Sequence, residues 1–301
     1  MVTCCHCGFE EHADDARFCR YCGNSLDSNK KIKVHSREEL IKVIDNYAET
    51  AILQKKRHLD LNRIDVSEIT DLSKVFGLRK TFFGDYDVSQ WNVSNVKIMD
   101  QAFAYSHFNG DLSSWDVSNV RSMSGMFQGT RGSITGLENW DVSNVINMDY
   151  MFAFNKEFNE YIGEWDVSNV KTMKGMFKYS VFDSDISKWD VSNVEDMSEM
   201  FEQTRFKGNI DNWNVSNVIN MSRMFYNNIR FRGDFRKWNL KHVINLEDFG
   251  FYRTMSGERV INIDGWEDQF KNRTIADLDN LDDIKKLKNI VLIKGMEPDL
   301  F

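Results

Sequence analysis

The chain has 301 residues, 42% hydrophobic and 28% charged, with a net charge of −8, 8 Trp, 14 Met, 5 Cys and one Pro. That composition excludes a disordered or collagen-like chain. Its apolar runs are a handful of residues long, as at Ile290-Val291-Leu292-Ile293, against the roughly 20 that cross a bilayer, so neither a transmembrane helix nor a membrane partner is expected.

The opening MVTCCHCGFEEHADD has neither the basic start nor the apolar stretch of a secretory signal, and a cytoplasmic protein is the expectation. All five cysteines fall before residue 23, which does not suit a disulfide framework stapling distant parts of the chain. Cys4-Cys5-His6-Cys7-Gly8 and Cys19-Arg20-Tyr21-Cys22-Gly23 form two C-x-x-C-G knuckles. A glycine after each second Cys tolerates the positive φ of a tight turn. Four thiolates fill a tetrahedral zinc site and leave no open position, which makes the site structural. Cys5 and His6 are alternative ligands, but regular spacing favours Cys4, Cys7, Cys19 and Cys22, with Cys5 a free thiol. The pattern resembles the short zinc ribbons at the front of many bacterial proteins, here over residues 1–25. A redox C-x-x-C usually stands alone beside a βαβ unit, and no such context is present.

Residues 26–35 are polar and read as a linker. Residues 36–63 form an N-terminal helical cap, in which Ser36-Arg37-Glu38-Glu39 is a capping box and Leu40, Val43, Ile44 and Tyr47 continue at helical spacing. Such a helix would cover the open end of the array that follows.

That array occupies residues 64–266. Trp91, Trp115, Trp140, Trp165, Trp189, Trp213, Trp238 and Trp266 are separated by 24, 25, 25, 24, 24, 25 and 28 residues, which marks a tandem repeat. The unit is W-[DN]-V-S-N-V-x-x-M-x-x-M-F, then a variable stretch, a Phe, and D-[IL]-S-x before the next Trp. A weaker copy starts at Ile64 with Asp65-Val66-Ser67, Ile69, Leu72 and Val75-Phe76, and the last copy decays to Leu240, Lys241 and His242. Val170, Met173, Met176 and Phe177 share one face of a helical turn with Ser168 as its N-cap, which predicts a short helix. The segment before each Trp, such as Phe108-Asn109-Gly110-Asp111-Leu112, reads as a short half-buried strand. One strand and one helix per 25 residues predicts an α/β, leucine-rich-repeat-like solenoid of about eight right-handed coils with a parallel sheet on the concave side. The unit resembles the BspA-like leucine-rich repeats of bacterial and mycoplasmal surface proteins. The resemblance implies this fold and a role in adhesion or interaction, while the missing export signal departs from those surface proteins. Residues 267–301, with Leu278, Leu281, Ile284 and Leu287 followed by a strand-like run, are read as a C-terminal cap.

Little here points to catalysis. The Trp column, the eleven methionines at two fixed offsets, the Asn column from Asn95 to Asn217 and the repeated Asp116, Asp141, Asp166 and Asp190 all recur once per unit, and a catalytic residue needs no such repetition. Indole rows also serve as carbohydrate or peptide platforms, but beside Val and Met columns they read as an interior stack. Past residue 63 there is no Cys and only His107 and His242, with no nucleophile–base pair and no phosphate loop. A non-enzymatic protein is expected.

Function then belongs where the repeats differ. The variable positions before the Trps, Asp111, Glu138, Tyr161, Asp185, Asp211, Asp234 and Arg236, are the candidate partner-binding residues. This stripe is acidic on balance, and residues 64–266 carry 28 acidic against 21 basic side chains. Such a surface repels phosphate backbones and suits a basic protein. The leading expectation is a protein–protein interaction scaffold. Its alternatives are a surface adhesin of BspA type, or nucleic-acid binding through the zinc ribbon and the lysines and arginines at Lys30, Lys31, Lys33, Arg37, Lys55, Lys56 and Arg57.

Overall fold

The structure, a computed structural model, describes residues 31–77, 85–233, 235, 237–253 and 259–261. The zinc ribbon expected at 1–25 with its ligands Cys4, Cys7, Cys19 and Cys22, the first part of the linker at 26–30, the C-terminal cap at 267–301, and the partner candidates Asp234 and Arg236 lie outside the described residues. The chain divides into two compact units, Met1–Val142 and Ser143–Phe301.

The first unit starts with strand β1 (Ile32–Lys33), helix α1 (Arg37–Leu53), β2 (His58–Asp60) and β3 (Ile64–Asp65). Ser36 is the N-cap, accepting from the Glu39 N–H at 3.1 Å, while the Glu39 carboxylate reaches back to the His35 N–H at 2.8 Å. The first bond satisfies one of the helix's otherwise orphaned N–H groups, and the second ties the residue before the N-cap back to the first turn. Leu40, Ile44, Tyr47, Ala48 and Ala51 form the buried face. Arg37 donates to the Ser73 carbonyl at 3.3 Å and pairs with Asp71 at 3.6 Å, fastening α1 to the first copy of the repeat. The polar stretch read as a linker ends differently from expectation. Ile32 and Val34 are buried, and β1 pairs in parallel with β3, Ile32 opposite Ile64.

β2 pairs in parallel with β4 (Asp85–Asp87), and β5 (Gly110–Asp111) with β6 (Ile134–Thr135). β4, β5 and β6 are strands of the kind expected before a Trp, here Trp91, Trp115 and Trp140. In the second unit the same stretches carry no strand among the described residues. Side chains join them instead, the Asp183 N–H donating to Asn159 Oδ1 at 2.7 Å and the Lys207 N–H to Asp183 Oδ1 at 3.0 Å. The last described residues of the second unit include an antiparallel pair, β7 (Phe251–Arg253) with β8 (Arg259–Ile261).

The helix expected after each Trp is not formed; α1 is the one α-helix among the described residues. Turns and single parallel bridges occupy that stretch, linking Asp71, Ile98 and Ser122 in the first unit and Asn147, Thr172, Asp196, Asn220 and Asn245 in the second. The N–H groups of Met176, Lys178 and Ser180 close turns onto Met173, Gly175 and Phe177, three residues back. Those of Met173, Gly175, Phe177 and Tyr179 instead donate to Asp196, Ser198, Met200 and Glu202 of the next copy. An α-helix would spend all of these donors internally. The alternation is set by left-handed residues ten and fourteen positions after the Trp, such as Gly175 (φ 59° in its counterpart Gly125), Glu199 (61°), Arg223 (56°), Tyr179 (57°) and Gln203 (52°). Apolar residues at i, i+3, i+6 and i+7 fit this chain of turns as well as they fit a helix.

Within each unit the repeated apolar residues stack in columns. Trp91, Trp115 and Trp140 lie 6.4 and 6.5 Å apart with nearly parallel rings, as do Trp165, Trp189 and Trp213 at 6.5 Å. These indoles are 3–5% exposed and the eleven column methionines 0%. The Trp column is therefore interior and no ligand platform. The weak first copy packs the same way, with Ile64, Val66, Ile69, Leu72, Val75 and Phe76 all buried.

Candidate functional site

The repeated polar residues are consumed by the structure. At the position after the Trp, Asp116, Asp166 and Asp190 each accept the N–H two residues on at 3.0 Å, and Asn92 and Asn214 do the same at 3.2 Å. These Asx turns hold the carboxyls of Asp116 and Asp166 below the usual range, through the Ser118 and Ser168 side chains first and their backbone N–H groups second. At the next repeated position, Asn119 donates its amide to the Ser94 carbonyl of the preceding copy at 2.9 Å, and Asn193 does so to Ser168 at 2.8 Å. His242 stands in for Asn in the decayed copy, its Nδ1 lying 2.7 Å from the Ser216 carbonyl. The N–H groups of Trp91, Trp115, Trp140, Trp189, Trp213 and Trp238 each donate to a backbone carbonyl of the preceding copy, Trp189 reaching that of Ile162 at 3.0 Å and Trp213 that of Ile186 at 3.3 Å.

The variable positions before the Trps remain at the surface. Asp111, Glu138, Tyr161 and Asp185 are exposed and Asp211 is half-buried. Asp111 and Asp185 also have local work, accepting the Ser113 and Ser187 N–H groups, each at 2.9 Å. The Ser187 N–H, and then its hydroxyl, keep the Asp185 carboxyl below its ordinary range. Asp211 donates its own N–H to Asn209 Oδ1 at 2.9 Å.

In the second unit these residues converge. The Tyr161 hydroxyl donates to Glu164 at 2.7 Å, Lys188 pairs with the same carboxylate, and Gly163 lets the Tyr161 ring and the Asp185 carbonyl approach, since a Cβ there would stand 2.7 and 2.5 Å from them. Asp185 then borders an open cleft of about 400 Å³ shared with Asp183, Ser187, Lys207, Gly208, Asn209 and Asn212. Lys207 is neutralised there by Asp183 at 3.1 Å, which leaves the Asp185 carboxylate as the rim's charge. In the first unit Asp111 is paired in register with Thr135, three residues before Glu138. Among the described residues no group of three or more His, Cys, Asp or Glu is placed to hold a metal ion.

A second feature escaped the sequence reading. Glu202, 1% exposed, accepts from Arg223 Nη2 at 2.9 Å and Nε at 3.1 Å and pairs with Lys178 at 3.1 Å. Lys178 also meets Glu199, and Arg223 reaches Asp248 at 3.7 Å and covers the Tyr226 ring at 4.1 Å. Burial pulls the Lys178 ammonium down, but the two glutamates outweigh it and hold it above its ordinary range. Glu202 first, against burial, raises Arg223. These residues come from consecutive copies and link them side by side. The available signal was opposite charges 21 to 25 residues apart at variable positions.

The molecule is thus a tandem-repeat protein, each repeat hydrogen-bonded and ring-stacked on its neighbour within a unit. The chain belongs to the family described as Mycoplasma protein of unknown function, DUF285, whose model matches residues 46–160, 122–205 and 157–266. No curated protein and no solved structure matches it.

Proposed function

We propose that the protein is a non-enzymatic protein–protein interaction scaffold, a BspA-like, leucine-rich-repeat-type solenoid preceded by a structural zinc ribbon and working in the cytoplasm. The observation that carries the reading is a division of labour. Side chains that recur in every copy are spent on the neighbouring copy, as with Asn193 on Ser168, whereas the positions that change from copy to copy keep Asp111, Glu138, Tyr161 and Asp185 exposed. Exposed carboxylates in each unit, joined by a tyrosine in the second, suit a basic protein surface, for which charge complementarity sets orientation and association rate. For the zinc, Cys4, Cys7, Cys19 and Cys22 supply the right donor set. Holding zinc through reduced thiolates agrees with a cytoplasmic site of action.

The test is a pull-down with Glu138→Gln, Asp185→Asn and Asp211→Asn combined. Each change removes charge and keeps the shape, and Asn at 185 still accepts the Ser187 N–H. Loss of a partner held by the unaltered protein is expected. Retention of every specific partner would overturn this site.

A further inference from the structure

The end of α1 carries a patch opposite in character to the acidic surface. Ile52 and Leu53 are 46% and 75% exposed, and Lys55, Lys56, Arg57 and His58 follow them, all exposed. The backbone there is fixed. Lys55 adopts φ 57°, the Lys56 N–H donates to the Ala51 carbonyl at 2.8 Å and the Lys55 N–H to that of Ile52 at 3.0 Å. This pair of bonds closes a helix over a left-handed residue. Beyond it the Arg57 carbonyl accepts the Asp85 N–H at 2.7 Å, tying the far side to β4. Two aliphatic side chains and three cations are therefore presented together on one rigid turn.

A cation near the last carbonyls of a helix is favoured by the helix dipole. That explains one of the three and neither of the aliphatic residues. In a chain of net charge −8, exposed Lys55 and Arg57 beside two branched side chains in water suit an anionic partner with an apolar layer. We propose that residues 52–58 form a peripheral contact for an anionic phospholipid surface. Leu53 and Ile52 enter the boundary between headgroups and acyl chains, and Lys55 and Arg57 lie at the phosphates. A nucleic acid backbone would satisfy the cations but offers nothing to Ile52 and Leu53. No spanning segment is needed, and among the described residues no helix is long and apolar enough to cross a membrane. The acidic body is repelled by the same surface wherever it comes within a Debye length of roughly 8–10 Å, so the contact is weak and salt-sensitive.

The experiment is co-sedimentation of the full chain with vesicles of equal parts phosphatidylglycerol and phosphatidylcholine, and with pure phosphatidylcholine, at low and at physiological salt. Binding to the mixed vesicles alone is expected, falling roughly tenfold or more in Lys55→Glu/Arg57→Glu and several-fold in Ile52→Ser/Leu53→Ser. Both variants alter exposed side chains, and unchanged thermal melts certify that they fold. Equal sedimentation with both vesicle types, no sedimentation at low salt, or binding unaffected by either variant overturns the proposal. So does binding to polyglutamate or duplex DNA that matches the vesicles and is indifferent to Ile52→Ser/Leu53→Ser, which would assign the patch to polyanions in general.

Discussion

Trp189→Ala tests the stacked core directly. The indole is 3% exposed, lies parallel to Trp165 and Trp213 at 6.5 Å each, meets Phe177 at 6.3 Å, and donates to the Ile162 carbonyl at 3.0 Å. Truncating a buried Trp costs about 3–5 kcal/mol through lost transfer energy and the cavity left behind. The bonded carbonyl, left without its donor, adds about 1 kcal/mol or more. Neighbouring rings are pinned by their own stacks and cannot collapse inward, which places the expected loss at about 4–6 kcal/mol. Trp189→Phe separates the two contributions, keeping most of the stack and losing the hydrogen bond. It should cost about 1–2 kcal/mol. Equilibrium urea unfolding followed by far-UV circular dichroism measures both, with the slope checked because repeat arrays lose two-state behaviour. A loss below about 1 kcal/mol for the alanine variant would refute an interior stack.

Arg223→Ala leaves the buried Glu202 carboxylate with Lys178 alone, and a loss of about 3 kcal/mol is expected in the same unfolding assay; Arg223→Ala/Glu202→Ala should recover part of it, and simple additivity of the two would contradict the pairing. Asp116 has a folded-state pKa below its ordinary 3.8, so its contribution is present above that value and disappears as pH falls through the lower, folded one. Asp116→Asn should keep the turn and flatten that part of an acid-unfolding curve, because Asn92 and Asn214 make the same bond, whereas Asp116→Ala should cost about 1 kcal/mol at neutral pH. Metal analysis of the purified chain should find about one zinc per molecule, absent in Cys19→Ser while the repeat circular dichroism stays unchanged; a zinc-free wild-type chain would remove the ribbon.

What the sequence made legible was periodic and apolar. Burial is nearly all-or-none, so a residue that recurs every 24 or 25 positions among valines and methionines has one plausible place, and Trp165, Met173 and Phe177 occupy it with 0–3% exposure. The Asn column was legible for a related reason, since a polar residue present in every copy needs a partner present in every copy, and the preceding Ser carbonyl supplies it. The helix was misread because spacing encodes which side chains face the core, not where backbone donors go. Tyr179, Glu199 and Arg223 hold left-handed φ without being glycine, and such a conformation, disfavoured for ordinary residues, leaves no mark in composition. The same stretch of each copy hides Glu202 and its cations, whose meaning depends on Lys178 and Arg223 arriving from adjacent copies. Asp185 shows the converse. Variability marked it as surface, which it is, but its bond to the Ser187 N–H means that part of its chemistry is spent on its own turn, which column position alone does not reveal.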